Sequence, residues 1–150
     1  MILFGLIFSA CENLNFCSSV PSEPVAIRLD MMHYPHLNSP FANEYFTEVN
    51  VQIGVHAIGF GGVLISTFLD SNGIRHAAFD MACPYEKESD VRVFPDSNGI
   101  FAICERCGSR FELSMGLGNV VQGPATEHLR PLNVHRQGIW LVVTQRHCRR

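Results

Sequence analysis

From Val25 onward the chain alternates short apolar runs with turn residues, and the runs have the length of strands rather than helices. Val25-Ala26-Ile27-Arg28-Leu29 is a β-prone stretch, and Glu48 to Ile53 alternates polar and apolar side chains, the period of a half-buried strand. Between them Tyr34 to Phe46, with Pro35 and Pro40, reads as a long irregular connection. Val63 to Leu69 is a continuous apolar, β-branched run that Asp70-Ser71-Asn72-Gly73 turns into Ile74 to Asp80. The same Asp-Ser-Asn-Gly joins Val91-Arg92-Val93-Phe94 to Ile100 to Cys104. Asn-Gly is expected to supply the two positive φ angles of a tight hairpin turn, so two hairpins are predicted. The tetrapeptides have unlike flanks, which makes them convergent turn chemistry rather than a duplicated unit. Ser114 to Asn119 is a glycine-rich turn, Val120-Val121 a short strand, and Leu132 to Val134 with Ile139 to Thr144 a last hairpin around Arg136-Gln137-Gly138. No helical periodicity of useful length occurs. The pattern predicts an all-β sandwich or barrel of about ten short antiparallel strands.

Composition narrows the class. The chain has 150 residues, 47% hydrophobic and 17% charged, enough for one sizeable core but hardly two. A net charge of −3 without a basic stripe argues against nucleic acid as a partner. Arg146, Arg149 and Arg150 form only a short basic tail over residues 146–150.

The six cysteines, Cys11, Cys17, Cys83, Cys104, Cys107 and Cys148, are too few and too unevenly spaced for a disulfide scaffold. Residues 1–10 hold the apolar run Ile2 to Phe8, which leads into Phe8-Ser9-Ala10-Cys11. This resembles a bacterial lipoprotein signal, in which the leader is removed and the cysteine thiol carries the lipid. The run is far shorter than the roughly 20 residues that span a bilayer. No Lys or Arg precedes it, so the reading expects the natural start to lie upstream of Met1. It implies lipidation at Cys11, a flexible linker to Pro24 and a domain over residues 25–145. The location implied is extracytoplasmic, anchored to a bacterial membrane and facing the periplasm or the cell surface.

The middle cysteines carry the candidate chemistry. Ala82-Cys83-Pro84-Tyr85-Glu86 follows one predicted strand, and Cys104-Glu105-Arg106-Cys107-Gly108-Ser109-Arg110-Phe111 follows another. Pairing the strands brings two loop tips together, which is how a two-loop metal site is built. With Gly123-Pro124-Ala125 as a third loop, this arrangement resembles the Rieske iron–sulfur family, over roughly Val25 to Thr144. In that family the loops read Cys-x-His and Cys-x-x-His, and two cysteines hold one iron while two histidines hold the other. Cys83 and Cys104 match the cysteine pair. Tyr85 and Cys107 occupy the histidine positions, and Ser109 matches a serine that can hydrogen-bond a cluster sulfide.

The resemblance therefore implies a Rieske-like fold and a 2Fe-2S cluster with altered ligands: Cys83, Tyr85, Cys104 and Cys107, with Ser109 beside them. It implies electron transfer to a redox protein partner. An electron carrier makes no bonds itself, so enzyme activity would depend on that partner. Zinc on Cys83, Cys104 and Cys107 is the second reading, with Glu86, Tyr85, a histidine or water as fourth ligand. A disulfide from Cys83 to Cys104 or Cys107, in a cluster-less binding module, is the third. His76 and His128 are the histidines whose positions in sequence allow an approach to the site. Asp80, Glu86 and Asp90 surround the first loop and read as solvated turn carboxylates rather than a catalytic pair. Cys104-x-x-Cys107 lacks the βαβ context of a redox dithiol.

Overall fold

The computed structural model describes residues 17–147 and is all-β. The expected leader, the lipidation site Cys11 and the tail residues Cys148, Arg149 and Arg150 lie outside the described residues. Among the described residues there are eleven strands: β1 (Val25–Asp30), β2 (Asn43–Phe46), β3 (Val55–Ile58), β4 (Val63–Asp70), β5 (Gly73–Asp80), β6 (Val93–Pro95), β7 (Phe101–Cys104), β8 (Arg110–Glu112), β9 (Val120–Gln122), β10 (Asn133–Gln137) and β11 (Trp140–Thr144). They form three antiparallel sheets, ordered β10-β11-β1-β3, β2-β4-β5 and β6-β7-β8-β9. The result is an open sandwich rather than a closed barrel.

The middle sheet explains the long apolar run. Strand period two sends Val63 and Ile65 of β4 into one core, with Ile27, Leu29, Leu141 and Val143. It sends Leu64 into a second core, where composition leads one to expect a single core, with Phe79, Met81, Val93, Ala102, Phe111 and Leu113. A sheet buried on both faces has no polar side to alternate with, so its strands read as unbroken hydrophobic runs. The second core ends at Cys83 and Cys104, both fully buried.

Local expectations fail in three places. Residues 48–53 are not a strand: Val51–Ile53 is a 3-10 turn with exposed side chains, and the strand begins at Val55. The Asn50 side chain accepts the amide of Gln52, and Gly54 closes the turn at φ 81°. That local capping overrides the alternating pattern. The connection from Tyr34 ends not as a loop but as β2, which pairs with β4 from Asn43↔Ser66 to Phe46↔Val63. Finally, the two Asp-Ser-Asn-Gly hairpins form without paired positive φ angles. Only Gly73 (106°) and Gly99 (70°) are left-handed, because Asp70 and Asp96 carboxylates accept amides from Asn72 and from Ile100 and Phe101.

The N-terminal segment docks earlier than a linker to Pro24 implies. Val20 is buried, and its carbonyl accepts a hydrogen bond from the buried Arg130 guanidinium at 2.9 Å.

Candidate metal centre

Two loops of matching backbone form the tip. In the first, Cys83 is followed by three turn residues, and the Lys87 amide donates back to the Cys83 carbonyl at 2.8 Å. In the second, Cys104 is followed by three turn residues, and the Gly108 amide donates to the Cys104 carbonyl at 2.8 Å. Each loop closes on a left-handed residue, Lys87 at φ 57° and Gly108 at φ 73°. Glycine takes that conformation without strain, whereas lysine holds it at a cost of roughly 1–2 kcal/mol.

The loops are anchored from below. Asp80, expected to be solvated, is 1% exposed. Its carboxylate accepts the amides of Phe60 (2.8 Å), Gly61 (2.9 Å) and Ala82 (2.9 Å), one residue before Cys83. Burial raises its pKa above the usual value against the pull of these amides and of Arg130. Ala82 also bridges to Arg92, and the Cys83 amide donates to the Val91 carbonyl at 2.9 Å, so the first loop returns directly into β6. Since β6 pairs with β7 as Val93↔Cys104, the second cysteine is brought alongside the first.

Cys83, Cys104 and Cys107 converge there, their sulfurs all within 4.8 Å of one another. None of the three is in a disulfide. The Cys83 and Cys107 sulfurs are 3.7 Å apart, well beyond the roughly 2.05 Å of a sulfur–sulfur bond. Burial pushes the Cys83 thiol up to about 12, although backbone hydrogen bonds from Glu86 and Tyr85 favour its thiolate. Burial also opposes the Cys107 thiolate, but hydrogen bonds with Ser109, Cys104 and Cys83 outweigh it and hold that thiol below its ordinary value. A trio with two fully buried members becomes fully anionic only with a cation among the sulfurs. Three close cysteines able to hold a metal ion are therefore what the fold presents.

Ser109 is fully buried, 3.1 Å from the Cys107 sulfur, and its hydroxyl accepts the Ala125 amide at 3.1 Å. Gly123 lies so close that an added Cβ would stand 2.5 Å from the Ser109 Cα. The Gly123-Pro124-Ala125 segment is thus folded onto the second loop. Tyr85 is 53% exposed. His76 does not join the thiols; its Nε2 donates to the Leu37 carbonyl at 2.9 Å. His128 is also outside the group, with Nδ1 at 2.8 Å from the Leu129 carbonyl. Glu86 is largely buried, its carboxylate 4.0 Å from Arg106, which makes a closer pair with Glu88 at 3.0 Å.

Sequence reading missed a cleft of about 450 Å³ lined by Arg28, Tyr34, Ile53, His56 and Trp140 and by no residue of the cysteine loops. Its Arg28 guanidinium stacks 4.3 Å over the Trp140 ring. The residues come from three separate strands and loops, so no local motif announces it. No protein-family model and no curated protein matches this chain.

Proposed function

We propose that this chain is a metal-thiolate protein on a Rieske-like scaffold, in which Cys83, Cys104 and Cys107 together bind one tetrahedral metal ion, zinc in first place. The observation that carries this is the convergence of three sulfurs, with the Cys83–Cys107 separation of 3.7 Å. A tetrahedral ion with metal–sulfur bonds of about 2.3 Å has sulfur–sulfur edges of about 3.8 Å. A Rieske-type cluster asks for something else: two ligand pairs on two irons, with imidazoles on the outer one. The donor set does not fit that pattern, since no histidine among the described residues joins the group and the third thiol meets the first two. The ion would hold the two loops together at the end of the second core, a structural role.

Electron transfer through a 2Fe-2S cluster with altered ligands is the second reading. What favours it is the buried Ser109 hydroxyl beside Cys107 and the glycine-proline segment folded over it, the elements the resemblance implies for a cluster pocket. For either centre, the Ser9-Ala10-Cys11 signature supports a lipid-anchored, extracytoplasmic location.

Protein purified anaerobically is analysed for zinc, iron and acid-labile sulfide, alongside Cys104→Ser. One zinc per chain, lost in the variant, is expected. Stoichiometric iron with sulfide would establish the cluster instead, and a metal-free protein would remove both.

A further inference from the structure

We infer that Glu86 is the fourth protein ligand of the metal held by Cys83, Cys104 and Cys107. This rests on the proposal that the thiols bind one ion. The two loops are the same backbone motif twice: a buried cysteine, three turn residues, and a left-handed fifth residue whose amide returns to the cysteine carbonyl. In the second loop the fourth residue is Cys107, and its sulfur reaches the site. In the first loop the fourth residue is Glu86.

The second loop brings both its first and its fourth residue to the common point, and the first loop brings its first residue to the same point. Three of the four positions already carry thiols, and the remaining one carries a carboxylate, a recognised zinc ligand. The Glu86 amide is one of the groups that favour the Cys83 thiolate, which places the Glu86 backbone beside the site. Its side chain is only 17% exposed although it sits on an outer loop. The carboxylate now lies 4.0 Å from Arg106 and outside the three-thiol group. Turning it inward leaves no charge stranded, because Arg106 keeps its 3.0 Å pair with Glu88. Lys87 in a left-handed conformation is consistent with a loop held to ligand geometry where glycine would relax it.

The test uses cobalt(II) as a spectroscopic stand-in for zinc, added to the reduced full chain, with affinities read by competition. Wild type is expected to show the intense visible bands of a tetrahedral ion with three-thiolate charge transfer. Glu86→Ala is expected to bind cobalt and zinc on the order of ten-fold or more weakly. Glu86→Cys, which makes the first loop Cys-Pro-Tyr-Cys, is expected to gain the charge transfer of a fourth thiolate. Glu88→Gln removes the same charge beside the same loop, keeps an acceptor for Arg106, and is expected to leave the spectrum unchanged. The assignment is overturned if Glu86→Ala keeps the wild-type affinity and spectrum, if Glu88→Gln weakens binding equally, or if Glu86→Cys remains a three-thiolate site. A wild-type chain that takes up no cobalt or zinc overturns the metal proposal itself.

Discussion

At the scale of single residues, the tip depends on groups whose roles are invisible one at a time. Asp80 looks like any strand-end carboxylate in the sequence, yet it ties Phe60, Gly61 and Ala82 together beneath the first cysteine loop. Its three amide donors come from two segments well separated along the chain, which is why sequence reading placed it in solvent. Asp80→Ala leaves those buried amides unpaired and is expected to cost about 3 kcal/mol or more in urea unfolding. Asp80→Asn, which keeps an acceptor, should cost less. His76 makes the pH-dependent contribution. Burial disfavours its imidazolium form and lowers its pKa; Arg136 and Arg75 add to this, while the Leu37 carbonyl partly opposes it. The unfolded chain therefore takes up this proton more readily than the folded one. The contribution to stability is present above the ordinary histidine value of about 6.5 and is lost as pH falls through the lower folded value. His76→Gln keeps a donor for Leu37 without a titrating ring. Between about pH 7.5 and pH 5, its unfolding free energy should fall by less than that of wild type.

At the scale of elements, hairpins and cysteine spacing were legible because they are local. The turn tetrapeptides, the two loop tips and the strand runs other than residues 48–53 fall where their sequences place them. What was not legible depends on tertiary partners. Residues 48–53 have a strand's alternation but no strand to pair with beyond the Asn50↔Val55 bridge, and β2 forms from an irregular-looking stretch because β4 offers it an edge. The likeness between the two cysteine loops was equally hidden, since Lys87 takes the place that glycine takes in the second. Lys87→Gly is expected to stabilise the protein by about 1 kcal/mol, the relief of left-handed strain less the added freedom of the unfolded chain. Chemical denaturation of the metal-free form measures it, and an unchanged midpoint would argue against strain at this position.

At the scale of the whole molecule, one sheet buried on both faces builds two cores, and the cysteine tip caps the end of one of them. A ligand there binds the folded chain and not the unfolded one, so it stabilises the domain as a unit. Free zinc at a hundred times its dissociation constant should add about 2.7 kcal/mol. In thermal unfolding, a chelator should lower the midpoint of wild type and leave Cys104→Ser unmoved. The class of fold was readable from strand pattern; the nature of the centre was not, because ligand identity at four positions does not say how many atoms sit between them. The convergence of three sulfurs, visible only in the fold, is what the proposal of a single ion rests on. Native mass spectrometry of the full chain, purified anaerobically, tests that claim. The expected spectrum carries the mass of one divalent metal ion per chain, lost on replacement of Cys83, Cys104 or Cys107 by serine. A mass increment of two irons and two sulfides, or a bare chain, would contradict it.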